Sequence, residues 1–339
     1  MMNQIGKFLA GICAVLFVIS GVTAIMVFNI ERKAFSSETY KQAFENQNLY
    51  ERMPVVLAVA LSTSTADSGS ADALLGMLAA EGNIASLLPP QELKVVTDDI
   101  LDSTFAYLNG EADSAVVSLL SLKRYLASEG GVNTVTQMLG AQPDCTIEQI
   151  AQITLGLLSG GNLLLCNPPE EIMGLVTPLI QTQLQAMMGA FPDEITIISG
   201  EKSNTPDDPR IGLDRARAFM KISPALPLLL LPAIIIFAVR GLKDWLKWWG
   251  WPFLTTGGIS LLIALAGSPI VEFVIGRILQ TQTSDFMPPV LLATLREAVG
   301  EITRQILNPV AIEGVILFLI GLGMVITAAL FAKLERAIA

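Results

Sequence analysis

The chain contains no histidine. Without an imidazole it cannot build Ser-His-Asp or Cys-His nucleophile systems, zinc sites that require histidine, or a histidine-based pH switch. Charged residues are scarce as well, at 15% of 339 residues, and the mean hydropathy is +0.57. Because soluble domains carry about 25% charged residues, this composition is typical of a membrane protein.

The sequence also lacks the motifs of common catalytic, nucleotide and metal sites. Asp98, Asp99 and Asp102 lie close together on a predicted helix, but no EF-hand loop accompanies them. We interpret these carboxylates as a solvated helix face. We therefore expect no catalytic residue, no cofactor and no metal, and hence not an enzyme, although carboxylate-based hydrolysis remains a third hypothesis.

Four long apolar runs are what the sequence does have. They cover Phe8 to Ile30, Ile222 to Val239, Phe253 to Val271 and Pro309 to Phe331. Since a bilayer core needs roughly 20 apolar residues, each run predicts a transmembrane helix (TM1 to TM4). The first is predicted to be an uncleaved signal anchor, because its apolar run exceeds that of a signal peptide. Cleavage near Ala24 is the alternative.

An acidic segment separates TM1 from TM2. Residues 34–209 hold 22 acidic and 6 basic side chains, a net charge of −16, whereas the rest of the chain has a net charge of +6. Such a segment should not bind nucleic acid or anionic head groups. The predicted fold class is all-α, with four transmembrane helices and a large, mostly helical extracytoplasmic domain between TM1 and TM2. The predicted domains are residues 1–30, 31–221 and 222–339.

Helical periodicity and turn residues predict the elements of this domain. Pro89 and Pro90 begin a helix that ends at Gly110, and further helices are predicted at 114–128, 147–158 and 168–190. The helix at 147–158 is predicted to begin with a capping box of Thr146 and Gln149. Only Ile195 to Ile198 is predicted to form a strand. The remaining predictions are a loop at 62–71, a short helix at 74–80, a linker at 202–210 and a basic amphipathic helix at 212–221.

Two cysteines lie outside the spans. Cys145 and Cys166 are predicted to form a structural disulfide if their compartment is oxidising. Cys13 lies inside TM1 and is interpreted as a packing residue.

The first helix and its short basic N-terminus predict cytoplasmic termini and an external domain at 31–221. Counting basic residues near the span ends does not favour this orientation, but long loops are translocated largely regardless of charge. Between TM2 and TM3, the predicted cytoplasmic loop 240–251 contains a membrane-interface cluster: Trp245, Trp248, Trp249, Trp251, Lys243 and Lys247. The segment 276–308 is predicted to be an amphipathic outer segment.

Two carboxylates lie near the span ends. Glu272 follows TM3, and Glu313 is placed in the first turn of TM4. An intramembrane carboxylate is a functional candidate, so proton or ion relay is one hypothesis. We favour a structural role, since Arg277 follows Glu272 and a helix N-terminus favours negative charge at Glu313. Small residues in TM3 and TM4 predict that these helices pack against each other or a partner.

The order of one span, a large aqueous segment and three spans resembles the permease subunits of ABC transporters that release lipoproteins or act in cell division. Residues 240–251 lie where those permeases have a short cytoplasmic segment, which implies contact with an ATPase. The predicted helical domain differs from their mixed α/β domains.

Our first hypothesis is a non-enzymatic, bacterial-type multi-pass protein of the cell membrane whose external domain binds a partner or senses. The expected partners are the lipid bilayer and a protein partner or second copy, bound through TM3 and TM4 or the external domain. The alternative is a permease or accessory subunit of a transport complex.

Overall fold

The computed structural model describes residues 2–56, 89–150, 166–199, 209–282 and 289–338. These residues are mostly helical and include four long apolar helices, as predicted. The predicted loop at 62–71, the helix at 74–80 and most of the linker at 202–210 lie outside the described residues. The elements are α1 (Met2–Ala34), α2 (Ser37–Asn46), α3 (Pro90–Leu108), β1 (Ser114–Ser118), α4 (Leu120–Leu126), α5 (Glu129–Gly140), α6 (Glu170–Ala190), β2 (Glu194–Ser199), α7 (Pro209–Ile222), α8 (Ala225–Ala238), α9 (Leu242–Gln282) and α10 (Pro289–Ile338).

The chain divides into two units. The bundle unit comprises Met1–Gln47, Lys202–Ser284 and Leu295–Ala339, and the disulfide unit comprises Asn48–Glu201 and Asp285–Thr294. The first contains all four long apolar helices apart from the first turns of α10.

The long helices of the bundle unit alternate in direction. Gly6 of α1 lies against the carbonyl of Phe237 near the end of α8, so α1 and α8 are antiparallel. The rings of Phe17 and Phe253 stack at 5.5 Å, and Gly21 packs on Thr256, so α1 and α9 are parallel. Gly250 and Gly267 of α9 lie against Val325 and Leu307 of α10, so these two helices are antiparallel. The start of α1, the end of α10 and the α8–α9 turn therefore lie at one end of the bundle.

Helices α9 and α10 meet along a seam of small residues. Gly250, Gly257 and Ala264 recur every seven residues on α9, facing Gly314 and Gly321 on α10. A Cβ added to Gly257 would lie 2.6 Å from the carbonyl oxygen of Gly314, which shows that the two backbones are in direct contact. A seven-residue repeat is the spacing of a left-handed supercoil, and small residues permit such an approach in membranes.

The sequence predicted the positions of the spans better than their extents. Residues 240–251 were predicted to be a loop, but α9 begins at Leu242 and leaves only 239–241 between α8 and α9. Similarly, the amphipathic segment 276–308 and TM4 were predicted separately, whereas α10 continues through Pro309. A long helix can absorb an internal proline where neighbouring helices surround it.

The disulfide unit contains a two-stranded antiparallel sheet. β2 includes the predicted strand 195–198, but its partner β1 occupies the start of the segment predicted as a helix at 114–128. In β1, Ala115 and Val117 are buried while their neighbours are half-buried. This two-residue alternation is that of a strand. The helix prediction was therefore wrong at 114–118, and α4 begins only at Leu120.

A separate cluster of α5 and α6 residues supplies apolar packing in the disulfide unit. Leu139 packs with Val176 and Ile180, and all three are at most 5% exposed. The predicted capping box is present: the Thr146 amide donates to Gln149 Oε1 at 2.9 Å, and the Gln149 amide donates to Thr146 Oγ1 at 3.3 Å. Residues 147–150 are helical, and the rest of that predicted helix lies outside the described residues.

Candidate membrane-interface site

The four tryptophans of the chain lie in the first three turns of α9 and point to two different sides. Trp245, Trp249 and Phe253 recur every four residues and form an aromatic column with centroid separations of 5.2 and 5.9 Å. The column ends on Phe17 of α1. Trp245 and Trp249 therefore pack inside this column. The sequence analysis had placed all four tryptophans in one membrane-interface cluster and did not separate these two from Trp248 and Trp251.

Trp248 and Trp251 instead line a groove between α1 and α9. The groove has a volume of about 510 Å³. Helix α1 contributes side chains one turn apart, as does α9, so each wall is one face of a helix. The lining residues are Ala14, Val15, Val18 and Ile19 of α1, and Lys247, Trp248, Trp251, Pro252, Thr255 and Ile259 of α9.

The groove is apolar and open at its side. Val15 and Ile19 are each 60% exposed, and Trp251 is 53% exposed. Thr255 contributes a hydroxyl to the lining, and its Oγ1 donates to the carbonyls of Trp251 and Pro252 at 2.9 and 3.1 Å. Among the described residues, Lys247 is the only charged one in the lining. The groove therefore offers an apolar surface with a single cation.

A second, polar pocket of about 390 Å³ lies at the α8–α9 turn. It is lined by Arg240, Gly241, Leu242, Lys243 and Asp244, together with Phe331 from the end of α10. Lys243 and Lys247, both predicted to lie at the membrane interface, thus line different pockets.

The structure places the two predicted carboxylates inside helices and next to neighbouring helices. Glu313 accepts a hydrogen bond from Asn29 Nδ2 at 3.0 Å, which joins α10 to α1. It lies in the middle of α10 and not in a first turn, so the predicted dipole stabilisation does not apply. Glu272 accepts from Ser268 Oγ at 3.2 Å and packs on Gly300 of α10. Glu272 and Glu313 therefore have different partners, and within the described residues no hydrogen bond joins them.

Two buried carboxylates were missed by the sequence reasoning. Glu31 is 6% exposed and pairs with Arg217 and Lys221 of α7 at 3.0 and 3.5 Å. Glu301 is 5% exposed and accepts from Asn46 Nδ2 at 2.9 Å, which attaches the end of α2 to α10. Glu301 also pairs with Arg304, three residues later, at 2.9 Å. Sequence does not show that either carboxylate is buried, because Arg217 and Asn46 are 186 and 255 residues away from them.

Tyr40 fixes the start of α2 to the end of α1. Its hydroxyl donates to the Ala34 carbonyl at 3.0 Å. Burial raises the pKa of this phenol above its ordinary value of 10.0. The tyrosine therefore stays protonated, and keeps its donor, throughout the physiological pH range.

In the disulfide unit, Cys145 and Cys166 are joined by a disulfide with a Cα–Cα distance of 4.9 Å. In the chain-entropy model, closing a loop of 21 residues stabilises the fold by about 3 kcal/mol. The helix face predicted to be solvated has internal partners instead: Asp98 accepts from the Tyr50 hydroxyl at 2.7 Å, and Asp99 accepts from the Ser118 amide at 2.6 Å. These two carboxylates hold the unit together locally.

The long apolar helices define the class of the protein. Four candidate spans cover Ile5–Ala34, Ile211–Ala238, Leu242–Ile278 and Leu291–Leu334, and most of their apolar surface is not buried by the protein. A surface of this kind suits the hydrocarbon core of a bilayer, so the chain has the features of a multi-pass membrane protein. Comparison with known protein families, curated proteins and solved structures finds no match.

Proposed function

We propose that the chain is a non-enzymatic, multi-pass protein of a bacterial-type cell membrane whose disulfide unit lies outside the cytoplasm and binds a partner or senses a ligand. The observation that carries the proposal is the Cys145–Cys166 disulfide, since such bonds persist in oxidising compartments and are rare in the cytosol. The acidic composition of residues 34–209 keeps such a domain soluble and free of nucleic acid. On this proposal the termini are cytoplasmic.

An exposed apolar strand supports partner binding. Ile195 and Ile197 of β2 are 45% and 49% exposed. Leu175 of α6, in the same unit, is 73% exposed. Exposed apolar side chains on a strand are typical of surfaces that bind another protein.

Photocrosslinking in intact cells tests this assignment. A photoreactive amino acid replaces Ile197, and a control chain carries it at Glu111, an exposed position of the same unit. We expect a discrete adduct from position 197 and none from position 111. The same partner should copurify in a fixed ratio in mild detergent. Equal, diffuse labelling at both positions would contradict a specific partner at β2.

The alternative function is a permease or accessory subunit of a transport complex. The polar pocket at the α8–α9 turn, with Arg240 and Lys243, favours it, because this is where a cytoplasmic ATPase would bind. The copurification experiment distinguishes the two proposals. An ATPase in a fixed ratio, lost on substituting Arg240 and retained on substituting Ile197, would replace the first proposal with the second.

A further inference from the structure

We propose that the α1–α9 groove binds an anionic phospholipid, with one acyl chain along its apolar walls and the phosphate beside Lys247. The inference concerns the bundle unit alone and does not depend on the partner of the disulfide unit. It rests on the lining of the groove, its length and the position of its one cation.

The walls of the groove suit a hydrocarbon chain. Apart from Lys247 and Thr255, the lining side chains are aliphatic or aromatic. The Thr255 hydroxyl already donates its hydrogen to backbone carbonyls of its own helix. A polar or zwitterionic solute would lose its hydration here without finding hydrogen-bond partners. A groove of about 510 Å³ lies within the range of roughly 300–1,000 Å³ that is usual for ligand sites.

The length of the groove corresponds to one leaflet. Lys247 and Ile259 are separated by twelve helical residues, which at about 1.5 Å per residue is about 18 Å. Half of the roughly 30 Å hydrocarbon core is about 15 Å. An acyl chain that begins beside Lys247 would therefore follow the groove down to the level of the bilayer centre.

The charged end of the groove selects the head group. Lys247 is exposed, and no acidic residue from the described part of the chain lines the groove beside it. Asp244, one turn earlier on α9, lines the polar pocket instead. Trp248 and Trp251 flank Lys247, and indole rings prefer the head-group level of a bilayer. Basic sites between membrane helices attract anionic head groups, so we expect a preference for anionic over zwitterionic phospholipid.

Intrinsic fluorescence provides a local test, because the only tryptophans of the chain are the four at 245–251. The full-length protein is reconstituted in phosphatidylcholine bilayers that contain increasing fractions of a lipid with brominated acyl chains, a contact quencher. The brominated lipid is either phosphatidylglycerol or phosphatidylcholine. We expect half-maximal quenching at a several-fold lower fraction of the brominated phosphatidylglycerol.

Two substitutions and a control assign the effect to the groove. Lys247→Gln should make the two quenching curves coincide, and Ala14→Phe, which fills the groove, should reduce quenching by both lipids. Lys333→Gln removes an exposed cation from the same end of the bundle but outside the groove, and it should leave the preference intact. Coincident curves for the wild-type protein, or equal losses in the Lys247 and Lys333 variants, would overturn the proposal.

Discussion

Glu31 is a buried carboxylate that connects two helices of the bundle unit. Its side chain is 6% exposed, and Arg217, itself 13% exposed, donates to it from α7. The Arg217 guanidinium also lies 4.7 Å from the centroid of the Phe35 ring. Burying a carboxylate is costly unless an opposite charge compensates it. This ion pair therefore holds the amphipathic helix α7 against α1, and removing either Glu31 or Arg217 alone should destabilise the bundle.

Substitution of Arg217 should be more harmful than substitution of both partners. Arg217→Met leaves Glu31 buried with only the more distant Lys221, and we expect the bundle to lose about 3 kcal/mol of stability. Glu31→Gln combined with Arg217→Met should recover most of that loss, because no buried charge remains. Thermal unfolding in detergent, followed by circular dichroism, measures both effects.

The matched control for this experiment is Arg215→Met, which removes an exposed arginine from the same helix. It should leave the melting temperature nearly unchanged, since exposed ion pairs contribute little. Equal melting temperatures for the Arg215 and Arg217 variants would show that the buried pair does not stabilise the bundle.

The partner of a residue could be predicted from sequence where it lies close in the chain or where only one residue of the required type was available. Thr146 and Gln149 are three residues apart, so their capping box could be read directly. Cys145 and Cys166 are the only cysteines outside the spans, so their pairing followed by elimination. Glu31 could not be assigned, because its partner becomes a neighbour only when α7 folds back along α1.

The seam between α9 and α10 shows how glycine spacing defines the packing of two elements. The sequence predicted that TM3 and TM4 would pack through small residues, and the structure brings Gly257 into contact with the backbone at Gly314 and Phe318. Without an aqueous hydrophobic effect, close packing is a principal attraction between helices in lipid. The seam should therefore tolerate added side-chain volume poorly.

Gly257→Leu should separate the two helices. Its side chain would overlap backbone atoms of α10, which cannot move aside as a side chain can. Overpacking typically costs about 1–3 kcal/mol, and a clash with backbone should lie at or above the upper end. Gly323→Leu is the control, because a Cβ at Gly323 would have no atom of the described residues within 4 Å. Thermal unfolding in detergent should show a lower midpoint for the Gly257 variant only, and two unchanged midpoints would contradict the seam.

The elements that sequence missed depend on distant partners or on helix continuation. The Ser114 to Ser118 segment has only a weak alternation of apolar and polar residues. It forms a strand because it pairs with β2, nearly eighty residues later in the chain. Helix α9 extends back through the tryptophans because their i, i+4 stacking stabilises helical turns. Hydropathy identifies where a helix is apolar, but it does not indicate where the helix ends.

For the molecule as a whole, the alternating helix directions lead to a topological conclusion. The α8–α9 turn, the start of α1 and the end of α10 share one end of the bundle, and a four-span protein must therefore expose them on one side of the membrane. Sequence alone left the choice of side undecided, because the count of basic residues conflicted with the signal-anchor rule. The disulfide is an independent argument, since it favours an oxidising compartment for residues 145–166.

Cysteine labelling in intact cells tests this topology directly. In a Cys13→Ala background that keeps the native disulfide, single cysteines replace Glu111, Gly241 or Lys333, all of which are exposed. We expect a membrane-impermeant maleimide to label position 111 in intact cells, because a domain outside the cytoplasm is accessible without permeabilisation. Positions 241 and 333 should react only after permeabilisation. The reverse pattern would place the disulfide unit in the cytoplasm, and labelling of 241 and 333 from opposite sides would contradict the four-span bundle itself.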